Sequence, residues 1–134
     1  MTYHPSFWLS GHPRPKGSWT PVVTKSGIKF RPASNKTTIW CKSIEGQLQA
    51  LWKPEPLLGP VDVKLEFKLP RLKTVKRWAP SSRYEGDLDK LIRGVLDAMT
   101  GIVFADDSQV VGLVATKRYA DTEPGVWVHV LDDL

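Results

Sequence analysis

Apolar and polar residues alternate without a break from Val61 to Leu69, VDVKLEFKL. This is the period of a strand with one face on a core and Asp62, Lys64, Glu66 and Lys68 on the other. A helical period follows. Leu88, Leu91, Ile92, Val95, Leu96 and Met99 fall on one stripe, which predicts a helix from about Leu88 to about Thr100, with Asp87 at the cap and Gly101 as the stop. Trp40, Ile44, Leu48, Leu51 and Trp52 form a second stripe, capped by Ser34 or Asn35 and ended by Pro54; tryptophans so spaced are expected in the core.

Shorter apolar runs predict the remaining strands. Phe7 to Ser10 is the first. Trp19 to Thr24 and Ile28 to Arg31 flank Lys25-Ser26-Gly27 as a hairpin. Ile102 to Phe104 is a short strand, and Gln109 to Tyr119 and Val126 to Leu131 pair across DTEPG as a last hairpin. Together these predict an α+β fold: a mixed, largely antiparallel sheet of about five or six strands covered by two helices. The pattern leaves strand order open. The chain of 134 residues suits one domain, residues 1–134, with a sizeable core.

Composition narrows the setting. A single cysteine, Cys41, excludes an intrachain disulfide and fits a reducing cytoplasm, where it serves as a small hydrophobe. No apolar run reaches the roughly 20 residues of a membrane span, and MTYHPS lacks a signal-peptide core, so an intracellular protein is expected. The net charge of +5 is unevenly spread: residues 1–53 stand at +7, residues 54–82 at +3 and residues 83–134 at −5. A basic first half and an acidic second half suit a protein that grips DNA phosphates with one part and presents them to metal held by the other. Candidate phosphate contacts are Arg14 and Lys16 in the turn-rich GHPRPKGS, Arg31 in the hairpin, Lys73, Lys76 and Arg77 in the long link Pro70 to Gly86, and Lys117 and Arg118 near a strand end. Trp78 in that link offers an aromatic face for an unstacked base.

The acids carry the candidate chemistry. Asp87, Asp89, Asp106 and Asp107 surround one helix. Asp87 and Asp89 can share a ligand only because the first is still extended when the second enters the first turn. If Ile102–Phe104 and the strand after it form a hairpin on the helix, its turn returns Asp107 to the helix start. Converging carboxylates without His or Cys suit Mg²⁺, which takes oxygen ligands, and suit zinc poorly. His4, His12 and His129 show no ligand spacing. The same acids also admit structural roles: Asp87 as a cap, Asp89 with Arg93 as a surface pair, and Asp106-Asp107 as a polar turn.

DLDKLIRGVLDAMTG followed by DDSQVV, with HPRPKGSW near the start, resembles the RusA family of Holliday junction resolvases. The resemblance implies Mg²⁺, with Mn²⁺ as substitute, held by Asp87, Asp89 and Asp107, and a homodimer whose two-fold symmetry matches a four-way junction. Lys90 stands where the family usually has Asn, and Arg93 where it has a functional lysine. Both are candidates for charge neutralisation in the transition state, Arg93 favoured by position. The implied activity is a Mg²⁺-dependent endodeoxyribonuclease that resolves four-way junctions by paired symmetric nicks in DNA recombination and repair, in a bacterial cell and frequently phage- or prophage-encoded. The alternatives are a less selective branched-DNA or flap nuclease and a non-catalytic junction-binding protein.

Overall fold

The computed structural model describes residues 1–17, 20–31 and 35–132, with residues 20–22 and 29–31 described by backbone alone. Trp19, Ser34 and the Arg31 side chain therefore lie outside the described residues. The elements are β1 (Thr2–Tyr3), β2 (Phe7–Ser10), β3 (Thr20–Thr24), β4 (Gly27–Arg31), α1 (Asn35–Leu51), β5 (Val61–Leu69), α2 (Leu88–Met99), β6 (Val110–Tyr119) and β7 (Gly125–Asp132). Short 3₁₀ turns occupy Arg83–Glu85 and Asp107–Gln109. No helix among the described residues is long and apolar enough to cross a membrane.

The fold is the expected α+β arrangement of two helices on a mixed, largely antiparallel sheet. β5 lies inside it because its alternation is the cleanest: Val61, Val63, Leu65, Phe67 and Leu69 are all buried, and a strand so buried needs neighbours on both edges. β7 pairs antiparallel on one side, Val63 opposite Val130, and β6 parallel on the other, Leu65 beside Ala115. β1 and β2 share the far edge of β7. The hairpin β3–β4 forms as expected, as a separate two-stranded sheet.

This order overturns the expected last hairpin. β6 and β7 are not partners; β5 separates them, and the DTEPG link crosses the end of β5, where the Ala120 N–H donates to Leu69 O at 2.8 Å. A parallel β5–β6 pair requires a crossover, which α2 supplies. Ile102–Phe104 is likewise a tight turn rather than a strand. The Ile102 and Val103 N–H groups still donate to Met99 O, and the Leu57 N–H donates to Val103 O.

Between helices and sheet lies one core. Trp40, Ile44 and Leu48 of α1, Leu91, Val95, Ala98 and Met99 of α2, and the inward residues of β5 and β7 form it with Val103 and Phe104. Trp52 joins them at 7% exposure, whereas Leu51, expected in the stripe, is 48% exposed at the end of α1. The other sheet face stays open. There His129 bridges Ser6 Oγ at 2.6 Å and Glu66 Oε2 at 2.8 Å, tying the start of β2 to β5 across β7.

Candidate active site

Two devices aim the start of α2. Gly86 turns the chain at φ +102°, a conformation L side chains rarely adopt, and its carbonyl accepts from Lys117 Nζ at 2.8 Å. Residues 14–16 pass over the helix at Gly94, where a Cβ would stand 3.6 Å from Lys16 Cβ and 3.7 Å from Arg14 O. The Lys16 N–H donates to Lys90 O at 2.9 Å, and Lys16 Nζ pairs with Asp97 Oδ2 at 2.9 Å. Cys41 lies beside Gly94, half-buried, and burial pushes its thiol up.

Asp87 holds the cap position with extended backbone, yet its side chain accepts no hydrogen bond from the helix. The structural role open to it as a cap is thus not taken. Its carboxylate is exposed and meets Lys90 Nζ at 3.4 Å. Asp89, in the first turn, is also exposed, and no ion pair forms between it and Arg93. Asp87 and Lys90 are thus paired with each other at the helix start, while the Asp89 carboxylate and the exposed Arg93 guanidinium form no ion pair with one another.

The second pair of acids divides its roles. Asp106 Oδ1 accepts from the Ser108 N–H at 2.8 Å, while Gln109 Oε1 accepts from the Asp106 N–H at 2.8 Å, a capping box on the turn. That backbone bond holds the Asp106 carboxyl below its usual range. Gln109 Nε2 also donates to Leu57 O and Gly59 O, pinning the turn to the connector before β5. Asp106 is structural, and Asp107 beside it is exposed.

Within one chain Asp107 does not return to the start of α2. Lys117, late in β6, is what touches Gly86, whereas Asp107 precedes β6. It follows the opposite end of α2, a helix about 18 Å long at 1.5 Å per residue. The missing hairpin is the cause: the 102–104 turn sends the chain directly into β6. Among the described residues, no three His, Cys, Asp or Glu side chains of one chain gather as a metal site.

The candidate DNA contacts also separate by role. Lys73, Lys76 and Arg118 are exposed, with the Arg118 guanidinium 5.4 Å from the centre of the 79% exposed Trp78 ring. Arg14 and Lys16 pass over the middle of α2 at Gly94, with the Lys16 ammonium held by Asp97. Lys117 has its ammonium bonded to Gly86 O, which fixes the turn before Asp87. Arg77 donates to Glu85 Oε1 at 2.8 Å, and Tyr119 Oη donates to Glu85 Oε2 at 2.6 Å. Burial pushes the Glu85 carboxyl up, but bonds from Tyr119, Arg77 and the Ser82 backbone outweigh it and hold the group below its usual range. The Glu85 anchor was missed in the sequence, although Ser82 and Glu85 have capping-box spacing and the turn is built that way.

The pattern described as Endodeoxyribonuclease RusA matches residues 13–131. A curated relative, the uncharacterized protein YqaN of Bacillus subtilis (strain 168), is 29% identical over 140 aligned residues, covering 92% of this chain and 93% of the relative. With the match spanning nearly all of the chain, including both acid-bearing segments, the protein belongs to the RusA endodeoxyribonuclease family.

Proposed function

We propose that the protein is a Mg²⁺-dependent, structure-specific endonuclease that resolves four-way DNA junctions as a homodimer, with each active site built from two subunits. Asp87 and Asp89 of one subunit and Asp107 of the partner subunit hold the ion, for which Mn²⁺ can substitute. The observation that carries this reading is the exposure of Asp87 and Asp89 at one helix start, where the cap bond Asp87 could make is left unmade and its carboxylate meets only the exposed side of Lys90. Two carboxylates plus phosphate oxygens already suit Mg²⁺, so the donor set fits.

β6 supports the dimer. Among the described strands its sole neighbour is β5, so one edge of N–H and C=O groups is open, with Val111 65%, Leu113 43% and Val114 58% exposed. Two such edges pairing antiparallel about a two-fold axis run the start of one β6 beside the end of the other. The end of β6 is where Lys117 holds Gly86, one residue before Asp87. Edge pairing therefore carries Asp107 of the partner subunit toward Asp87 and Asp89, which its own subunit cannot do.

When bound, the ion supplies a more acidic water and charge against the leaving oxygen. The chain's own residues do the rest. Lys90 and Arg93 offset phosphate charge beside the acids, Arg14 and Lys16 grip the adjoining backbone, and the two-fold axis presents paired sites to opposing strands. The test is a Mg²⁺ titration on four-way, three-way and linear DNA of matched sequence, read on denaturing gels. Symmetric paired cuts confined to the four-way junction are expected; equal cutting of all three substrates, or none at any Mg²⁺ concentration, contradicts the reading.

A further inference from the structure

We propose that the cleft between residues 12–14 and the 70–85 loop is a nucleotide subsite that takes one unpaired base of the DNA, with the adjoining phosphate on Arg14 and His12. It rests on the nuclease reading and adds a position to it. Two cavities meet at His12 and Arg14: a larger one of about 490 Å³ toward Leu72, Val75, Tyr84 and Glu85, and a smaller one of about 210 Å³ toward Lys36 and Trp40. The larger falls in the range of roughly 300 to 1,000 Å³ typical of small-molecule sites.

The walls match the two halves of a nucleotide. Leu69, Pro70, Leu72 and Val75 make the loop side apolar, and Leu72 and Tyr84 stand 71% and 84% exposed at the rim, area that a base would cover. On the other side the charge is positive. Arg14 and His12 have no carboxylate partner among the described residues, while Arg14 and Lys36 both lie close enough to His12 to push its pKa down after burial has begun the shift. Arg14, a partly buried cation without an acid, favours an incoming anion, to which the neutral His12 ring can donate a hydrogen bond. Arg77 is not part of that charge, because Glu85 holds it at 2.8 Å and so braces the wall.

Position selects the ligand. Glu85 lines the cleft two residues before Asp87, and two residues span at most about 7 Å, close to one nucleotide step along a strand. A strand whose phosphate reaches the acids thus passes the cleft mouth. At a branch point a base leaves the stack at less cost than within a duplex, so an unpaired base there is the occupant.

The test uses four-way junctions carrying 2-aminopurine at each position flanking the branch, without divalent metal. Binding of the full-length protein should raise fluorescence several-fold at one flanking position and leave a linear duplex unchanged. Val75→Trp, which fills the cleft, should abolish the rise while changing junction affinity less than about threefold. Leu72→Glu, at an exposed rim position that does not enter the core, should do the same, so a folding defect in the first variant does not decide the matter. Arg14→Gln should weaken binding about tenfold and reduce the salt slope by about one. A rise that survives both cleft variants, or no rise at any position with the junction saturated, overturns the subsite. Continued Mg²⁺-dependent cutting in that case would leave the nuclease reading standing, whereas failure to bind the junction would remove both.

Discussion

Asp87 occupies a cap position without making the side-chain cap bond, worth about 1 kcal/mol where it forms, and its carboxylate meets Lys90 instead. Asp89→Asn should leave junction binding intact and lower cleavage by at least about 100-fold, the scale on which even outer partners of metal ligands matter. Asp106 is the contrasting acid. Asp106→Ala removes a formed cap and should lower the denaturant midpoint, with cleavage lost only as far as Asp107 shifts. Glu66 and Glu85 make a pH prediction. Bonds from His129, and from Tyr119 and Arg77, hold these carboxyls below the unfolded value. Their stabilisation is therefore present above the unfolded pKa, about 4.5, and is lost as pH falls through the lower folded values. The melting temperature should drop below about pH 4.5, and less steeply in His129→Gln; identical acid limbs would contradict the assignment for Glu66.

At the scale of elements, the regular periods were legible and the choices among partners were not. The alternation of β5 and the stripe of α2 each state which face is buried, and both elements stand within a residue of the expected bounds. Ile102–Phe104 misled because three apolar residues suit a buried turn as well as a strand. The five-residue DTEPG link misled because short links usually join paired strands; here β5, buried along one whole face, claimed the position between β6 and β7. That one exchange decides the site, since it leaves β6 at the edge and Asp107 at the wrong end of its own helix. The acids were readable as residues, but the proposed assembly across two subunits depends on pairing that one chain's pattern does not encode. Changing Val111 and Val114, both more than half exposed, to Glu should therefore leave the subunit folded while abolishing dimer and cleavage together; a cleaving monomer in sedimentation would contradict edge pairing.

For the whole molecule, the uneven charge has a location. The basic 14–16 strip passes over α2 and the 70–85 loop leads into Asp87 at its start, so phosphates are drawn toward carboxylates that would otherwise repel them. The proposed two-fold dimer would repeat the arrangement on the opposing strand. The central claim is that each site takes acids from two subunits, and mixing Asp89→Asn with Asp107→Asn protein tests it directly. Each variant alone should cut at least about 100-fold more slowly than wild type. In a mixed dimer one site carries both defects and the other carries none, so subunit exchange should restore about one quarter of wild-type sites and yield singly nicked junctions. No activity in the mixture, once exchange is verified, would mean that all three acids act within one subunit and would contradict the account.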